Sequence, residues 1–254
     1  MRFEPCALSD LKSFDHYLGS LSSPFDSFLE DHILESQFHR ILIDDQEVGS
    51  FGIHGNALLT HFHLVGPARR YGQQALAEVL KQTRVKAAFV FTGDEFFLSH
   101  ALDTDSDLKK QAYFFVEGNT QVALQAPAIE LTYKLAQLSD AVDIRAISED
   151  FLDKHEERIQ KRQLHVGIHA GQLVAIGIIE YSRLLQKHAS IGMFTHEAFR
   201  QKGVGTSTIR YMRSVCHAEG IRPMAGCWYY NHESKKTLEA AGMVTQTRLL
   251  RFEF

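Results

Sequence analysis

Residues 200–205, with the sequence Arg-Gln-Lys-Gly-Val-Gly, form a turn between a strand-like stretch, His188–Thr195, and a helix-like stretch, residues 206–219. Backbone N–H groups in such a turn point in one direction, and the positive end of the helix dipole adds to them. Gly203 and Gly205 carry no Cβ, so an anion can approach the main chain closely. The turn therefore predicts a binding site for a phosphorylated molecule, such as one that carries a pyrophosphate.

The spacing of these glycines excludes two common nucleotide-binding motifs. A dinucleotide fingerprint, G-x-G-x-x-G, requires a glycine where this chain has Thr208. A Walker A loop, G-x-x-x-x-G-K-S/T, occurs nowhere in the chain. Because the chain also lacks a repeated parallel βαβ pattern, we do not expect a nicotinamide-dependent oxidoreductase. What the turn does contain is R-x-x-G-x-G, with Arg200 three residues before the first glycine.

A second pattern lies downstream of this turn. Residues 224–230 are typical of a short buried strand, and Asn231 follows in a position to cap a helix. Gly242 ends that helix, where a left-handed residue is usually needed, and residues 243–254 are again strand-like. Residues 231–243 thus have the pattern N-x-x-S-x-x-x-L-x-x-x-G-M.

Together, the two patterns resemble the signatures of the GNAT (N-acetyltransferase) superfamily, Q/R-x-x-G-x-G/A and N-x-x-A/S-x-x-x-Y-x-x-x-G-F/M. Two motifs in this order, joined by one helix and one strand, are more specific than either motif alone. The chain departs from the second signature at Leu238, where the family usually has a tyrosine that protonates the departing coenzyme A thiolate. The resemblance implies an N-acetyltransferase that uses acetyl-coenzyme A as co-substrate and a small molecule or peptide amine as acceptor.

The resemblance also implies where the cofactor binds. It would lie between two splayed strands, one ending near Thr195 and the other near Tyr230, with its pyrophosphate on the glycine turn. Backbone N–H groups at the end of the first strand would hold the thioester carbonyl, where they can stabilise a developing oxyanion. The residues expected to bind the cofactor are Met193, Phe194, Thr195, Arg200, Gln201, Lys202, Gly203, Val204, Gly205, Thr206, Asn231 and Ser234.

The groups that transfer protons are less clearly marked. The acceptor amine must lose a proton to attack the thioester, and Glu180 and His188 are the candidate bases. Because Leu238 cannot donate a proton, Tyr229, Tyr230 or Cys227, which lie close by in sequence, would protonate the thiolate. Water is an alternative, since a thiol pKa of about 8.5 makes the thiolate a tolerable leaving group. Alternatively, none of these residues has a catalytic role. Glu180 and His188 would then be surface residues, and Tyr229 and Tyr230 would only pack on the sheet.

The sequence is also compatible with a second class of function. An intact glycine turn indicates cofactor binding but not turnover. Leu238 in place of tyrosine favours, slightly, a non-catalytic protein with the same fold that holds acyl-coenzyme A as a sensor or scaffold. Release of free thiol in the presence of amines would distinguish the two classes.

Length and composition restrict the possibilities further. The chain has 254 residues, more than one acetyltransferase domain needs, and is 44% hydrophobic and 23% charged. A net charge of -4 argues against nucleic-acid binding, and no apolar run approaches the ~20 residues of a membrane span. Three widely spaced cysteines and the lack of an apolar signal segment favour a cytoplasmic location. We expect no metal site, and a homodimer is compatible with the sequence.

The C-terminal half, residues 140–254, follows the order β-α-β-β-β-α-β-α-β. We predict its first strand at residues 142–146 and then a helix that Ser148 caps, with Glu149 and Asp150 in the first turn. Further strands are predicted at residues 164–169, 173–182 and 188–195.

The N-terminal half, residues 1–118, resembles a degenerate copy. Strands are predicted at residues 39–43, 48–53, 57–65 and 87–91, and helices at residues 75–82 and from residue 96. Arg69 and Gly72 reproduce the start of the turn, but Gln74 replaces its second glycine, so we expect weak or no cofactor binding there. We therefore expect a mixed, mostly antiparallel α+β fold with two GNAT-type domains, joined by a linker or extra strands at residues 119–139. A generic α+β N-terminal domain is the alternative.

Overall fold

The structure is a computed structural model that describes residues 1–118, 127–148 and 151–254. In residues 1–118, Asp26 and Asp94 begin two of the helices by accepting hydrogen bonds from the backbone N–H groups of Leu29 and Phe97. The helices of this half are α1 (Ser13–Ser20), α2 (Ser27–Leu34), α3 (Gly72–Gln82) and α4 (Glu95–Leu102). Its strands are β1 (Arg2–Cys6), β2 (Gln37–Ile43), β3 (Gln46–His54), β4 (Leu58–Leu64), β5 (Ala87–Phe91) and β6 (Asp107–Glu117).

The second half repeats this order of elements. Asn231 caps its last helix by accepting a hydrogen bond from Ser234 N (3.0 Å), and Gly242 follows the helix with φ of 91°, as the sequence predicts. The helices are α5 (Ala141–Ser148), α6 (His155–Gln160), α7 (Val204–Ala218) and α8 (His232–Ala240). The strands are β7 (Thr132–Leu135), β8 (Leu164–His169), β9 (Gln172–Tyr181), β10 (His188–Thr195), β11 (Arg222–Trp228) and β12 (Met243–Glu253).

These strands form one sheet in the order β1-β2-β3-β4-β5-β12-β6-β11-β10-β9-β8-β7. The two halves exchange their last strands: β6 lies between β11 and β12, and β12 lies between β5 and β6. Tyr113 of β6 is thereby opposite Cys227 of β11 on one side and Arg248 of β12 on the other. Neither half completes its own sheet, so each depends on a strand from the other.

Helices cover both faces of the sheet. On one face, here called the α7 face, Ile191 of β10 packs in one core cluster with Met212 of α7. On the opposite face, here called the α2 face, Leu29 of α2 packs in another cluster with Phe114 of β6. Because side chains alternate along a strand, Ser190 of β10 points to the α2 face.

The structure confirms strands at 87–91, 164–169 and 188–195 but corrects the start of the C-terminal half. Residues 142–146 lie in helix α5, because Ala141, Ile144 and Ser148 are buried at helical spacing while Val142 is 76% exposed. The first strand of this half is instead β7, within the segment predicted as a linker or extra strands. Ser148 is the last residue of α5. The helix start that it is predicted to cap includes Glu149 and Asp150, which, like residues 119–126, lie outside the described residues.

Candidate active site

Strands β10 and β11 diverge and leave a cleft in the sheet. They pair in parallel only at His188–Arg222, Ala189–Pro223 and Ser190–Met224. Beyond the Ser190–Met224 pair, here called the apex, the rest of β10 pairs only with β9 on its other side. Backbone groups that face this C-terminal cleft are therefore available to a ligand.

The glycine turn lies at the open end of this cleft, as the sequence predicts. Gly203 has φ of 79°, in the left-handed region, and it immediately precedes α7. Arg200 Nε donates a hydrogen bond to Thr195 O (3.3 Å), and Lys202 Nζ donates one to Ala198 O (2.9 Å). These bonds hold the turn near the end of β10, and Ala128 N donates a further hydrogen bond to Lys202 O (3.0 Å), while residues 201–203 stay exposed.

Gly205 brings the first turn of α7 into close contact with β10 and α8. A Cβ at this position would stand 3.2 Å from Thr237 Cγ2, 3.3 Å from Met193 Sδ and 3.4 Å from Thr195 Oγ1. The Thr195 hydroxyl is buried and has no hydrogen-bond partner among the described residues. A buried hydroxyl without a partner is costly, so this group fits a position that a polar ligand completes.

The tyrosines predicted near the leaving group take different positions. Tyr229 follows β11 and stacks on Tyr113, with ring centroids 4.5 Å apart. A hydrogen bond with Tyr113 lowers the pKa of Tyr229, and Lys110 lowers it further. Tyr230 is exposed and meets Trp228 edge-on at 5.1 Å. Leu238 is buried in the core beneath α8, so its position supplies no proton donor.

Of the two predicted bases, the structure brings Glu180 to the cleft and leaves His188 away from it. Glu180 is opposite Ser190, the β10 residue of the apex. Its Oε1 accepts a hydrogen bond from Arg158 (2.6 Å), and its Oε2 accepts one from Ser27 Oγ (2.6 Å). His188 begins β10 at the closed end, five residues before Met193, which is about 16 Å along the strand.

Two residues of the N-terminal half also reach the cleft, and sequence reasoning missed them. Ser27 N donates a hydrogen bond to Ser190 Oγ (2.7 Å) at the apex. Asp26 lies over Gly226 of β11, where a Cβ would overlap Asp26 Oδ2 and stand 2.8 Å from Asp26 Cγ. Burial raises the pKa of Asp26 to about 7. Asp26 caps α2 in the structure, and the sequence around it carries no sign of the strand that it contacts.

A cavity of about 420 Å³ lies on the α2 face beside the apex. Glu180 and Ser190 are part of its wall. The charged lining residues of the N-terminal half are all acidic, whereas the C-terminal half contributes both signs of charge, so the cavity suits a polar molecule. The acidic residues are Glu30, Asp31, Glu35, Glu157 and Glu180, and the basic ones are Lys154, Arg158, Lys161 and Arg183.

The corresponding cleft of the N-terminal half is filled by side chains. Strands β4 and β5 pair in parallel at only two positions. Phe62 of β4 contacts Phe96 and Phe97 of α4, each with ring centroids 5.7 Å apart, where the C-terminal half has an open cleft. A Cβ on Gly72 would overlap the ring of His100. Gln74, the replaced glycine, is exposed, so the aromatic filling is the stronger obstacle to a cofactor.

Comparisons with known proteins identify the class. Residues 8–118 match the family described as "Acetyltransferase (GNAT) domain", and residues 133–243 match "Acetyltransferase (GNAT) family". The chain therefore belongs to the GNAT superfamily and carries two such domains in tandem, in a mixed, mostly antiparallel α+β fold. This confirms the resemblance and the fold predicted from the two motifs.

Solved structures resemble the whole chain at low sequence identity. A GNAT-family acetyltransferase from Colwellia psychrerythraea is 18% identical with a TM-score of 0.88 and covers 100% of both chains. A GCN5-related N-acetyltransferase from Sphaerobacter thermophilus is 12% identical with a TM-score of 0.67, covering 99% of this chain and 95% of its own. A tandem GNAT protein from the clavulanic acid biosynthesis pathway is 13% identical with a TM-score of 0.57, and the match covers 99% of this chain and 97% of that protein. At such identities these likenesses show the fold alone.

No curated protein matches the chain in sequence. In the described ranges, no helix combines the length and the apolar character that a membrane crossing requires.

Proposed function

We propose that the C-terminal half transfers an acetyl group from acetyl-coenzyme A to an amine by direct attack of the amine on the thioester. The observation that carries this proposal is the cleft between β10 and β11, with the glycine turn at its open end. The unpartnered Thr195 hydroxyl and the close approach of Gly205 to Met193 support cofactor binding at this position. The aromatic filling of the N-terminal cleft supports a single cofactor site.

The roles of the cofactor-binding residues follow from their positions. Main-chain N–H groups of residues 201–206 would hold the pyrophosphate, with the Thr206 hydroxyl assisting and the α7 dipole favouring the negative charge. Main-chain N–H groups of residues 193–195 would hold the thioester carbonyl. Hydrogen-bond donors aimed at a developing oxyanion stabilise the transition state by several kcal/mol, about 3–4 kcal/mol for one donor. Asn231 already accepts a bond from Ser234 N, so it orders the turn beside the pantetheine arm.

The acceptor amine would enter from the cavity on the α2 face. Glu180 and Ser190 in its wall lie at the apex, next to the strand that would hold the thioester. Arg158 and Ser27 hold the Glu180 carboxylate in place at the apex, where it would orient the amine by accepting a hydrogen bond from it. Because the lining carries both signs of charge, we expect a polar acceptor rather than an apolar one.

The departing thiolate has no tyrosine on α8 to protonate it. Leu238 is buried in that place, and Tyr229, whose pKa is lowered by Tyr113, is the nearest candidate by sequence. Protonation by water is sufficient as an alternative, because a thiolate of pKa about 8.5 leaves without much assistance.

Calorimetric titration with acetyl-coenzyme A tests the cofactor site. We expect micromolar binding by the native chain and a loss of at least about 100-fold in Gly205→Asp, because the new side chain enters the space beside Met193, Thr195 and Thr237 and adds a negative charge next to the proposed pyrophosphate position. The control is Gln74→Asp, which places an aspartate at the corresponding exposed position of the N-terminal half and should bind normally. Melting temperatures verify that both variants fold. No binding by the native chain, or equal loss in both variants, would refute the site.

A screen of amines then separates transfer from binding alone. Amino acids, polyamines, aminoglycosides and a short peptide with a free N-terminus are each incubated with acetyl-coenzyme A, and free thiol is measured. The second candidate function, an acyl-coenzyme A sensor or scaffold, is favoured by the buried Leu238. It predicts tight binding without thiol release for every amine.

A further inference from the structure

We propose that Asp26, a residue of the N-terminal half, accepts the proton of the attacking amine in the C-terminal cleft. This proposal rests on the proposed acetyl transfer and adds the group that performs its first proton transfer.

The position of Asp26 is the first argument. Gly226, over which its carboxylate lies, is two residues beyond the apex on β11, inside the diverging part of the cleft. Any side chain at position 226 would occupy the space of that carboxylate. Its neighbours Phe25 and Leu29 pack on the α2 face, and the adjacent Ser27 lines the cavity from which the amine would enter.

Hydrogen bonds from the neighbouring Ser27 secure this position. Ser27 N donates to Ser190 Oγ at the apex, and Ser27 Oγ donates to Glu180 Oε2. Both partners belong to the cavity wall, so the start of α2 is fixed against the floor of the acceptor cavity. Asp26 Oδ1 accepts a hydrogen bond from Leu29 N (3.2 Å), and Oδ2 is the oxygen that lies over Gly226.

The electrostatic environment suits a proton acceptor. Among the described residues no lysine or arginine forms an ion pair with Asp26, and its side chain is 8% exposed. The groups that face it are Glu180 on β9, Cys227 on β11 and Asp31 on its own helix. Burial, then Glu180, raises the pKa of Asp26 to about 7, so the carboxylate ionises near neutral pH, where a general base is most effective.

The two neighbouring groups are poorer acceptors. Both carboxylate oxygens of Glu180 already have hydrogen-bond donors, Arg158 on Oε1 and Ser27 Oγ on Oε2. Burial raises the pKa of Cys227 to about 11, so it stays a neutral thiol at physiological pH.

The proposed step balances in atoms and charge. The amine nitrogen forms a bond to the thioester carbon, and the C–S bond breaks with its electron pair going to sulfur. The proton that the nitrogen loses moves to the Asp26 carboxylate. Asp26 later returns it to solvent, and the thiolate takes up a proton or leaves as the anion.

Asp26→Asn is the decisive variant because asparagine caps helices as well as aspartate does but cannot accept the proton. The control is Asp94→Asn, which changes the other buried capping aspartate, whose pKa burial also raises to about 7. With the most reactive amine of the screen, we expect kcat/KM to fall roughly 100- to 10,000-fold in Asp26→Asn. The limb of the pH profile near pH 7 should also disappear, while acetyl-coenzyme A affinity is kept. Asp94→Asn should match the native chain.

A spectroscopic test does not depend on turnover. The protein is labelled with ¹³C at the aspartate carboxyl groups, and the Asp26 resonance is assigned as the one that is missing from the spectrum of Asp26→Asn. This resonance should titrate near pH 7 and shift when acetyl-coenzyme A is added. An Asp26 resonance that saturating acetyl-coenzyme A leaves unchanged would overturn the proposal while keeping the proposed function. Equal loss of activity in both variants would overturn it too. Failure of calorimetric binding would instead refute the acetyl transfer itself.

Discussion

The contact between Asp26 and Gly226 joins the two halves of the protein, and a single methyl group tests it. Gly226→Ala places a Cβ where it overlaps Asp26 Oδ2 and stands 2.8 Å from Asp26 Cγ. The carboxylate must therefore move away from β11. Because Asp26 also caps α2 through Leu29 N, that movement weakens the start of the helix as well.

The expected cost follows from these two effects. Overpacking by one methyl group typically costs about 1–3 kcal/mol, and loss of an N-cap about 1 kcal/mol. Replacing a strand glycine returns roughly 0.5–1 kcal/mol. The net destabilisation of Gly226→Ala is therefore about 1–3 kcal/mol. In an Asp26→Ala background the carboxylate is gone, the new methyl has room, and the same change should cost about 0.5 kcal/mol or less.

Urea unfolding of the native chain, both single variants and the double variant measures this coupling, which should be roughly 0.5–3 kcal/mol. Gly192→Ala serves as the control, since its Cβ would lie on β10 with its nearest neighbour, Ile178, 3.9 Å away. The loss of unfolding free energy in Gly192→Ala should be small, and it should add to the loss in Asp26→Ala without coupling. Additive costs for Gly226→Ala and Asp26→Ala would show that the two residues do not touch, and the docking of α2 on the C-terminal half would be refuted.

Two further predictions concern the whole fold. The pKa of Asp94 is raised from 3.8 to about 7, so the folded protein keeps a proton that the unfolded chain releases, and stability should fall as pH rises from about 4 to 7. Asp94→Asn should flatten this fall by at most about 1.4 kcal/mol per pH unit in urea titrations; an unchanged slope would contradict the buried, protonated carboxyl. A fragment of residues 127–254 lacks β6 and should not melt cooperatively, whereas co-expression with residues 1–118 should restore one transition. A cooperative fragment on its own would contradict the strand exchange.

Local features of the site could be predicted from sequence because their causes are local. Gly203 is left-handed at the start of α7, Asn231 caps α8, and Gly242 ends it, each through a backbone angle or hydrogen bond within a few residues. The spacing of these residues predicts the superfamily, while Arg69, Gly72 and the predicted elements of residues 1–118 predict the tandem arrangement. The strand predicted at residues 142–146 is wrong because a short apolar run fits either a strand or a helix, and only burial of Ala141, Ile144 and Ser148 decides for the helix.

By itself, then, the amino-acid sequence determined the motifs, the repeat and the family. Tertiary structure alone decided that β6 and β12 are exchanged, that Phe62 and Phe96 fill the N-terminal cleft, and that Asp26 lies over Gly226. Asp26 and Gly226 meet across most of the length of the chain. Such contacts are set by the order of strands and by shape complementarity between distant surfaces, which leave no periodic or local signal in the sequence.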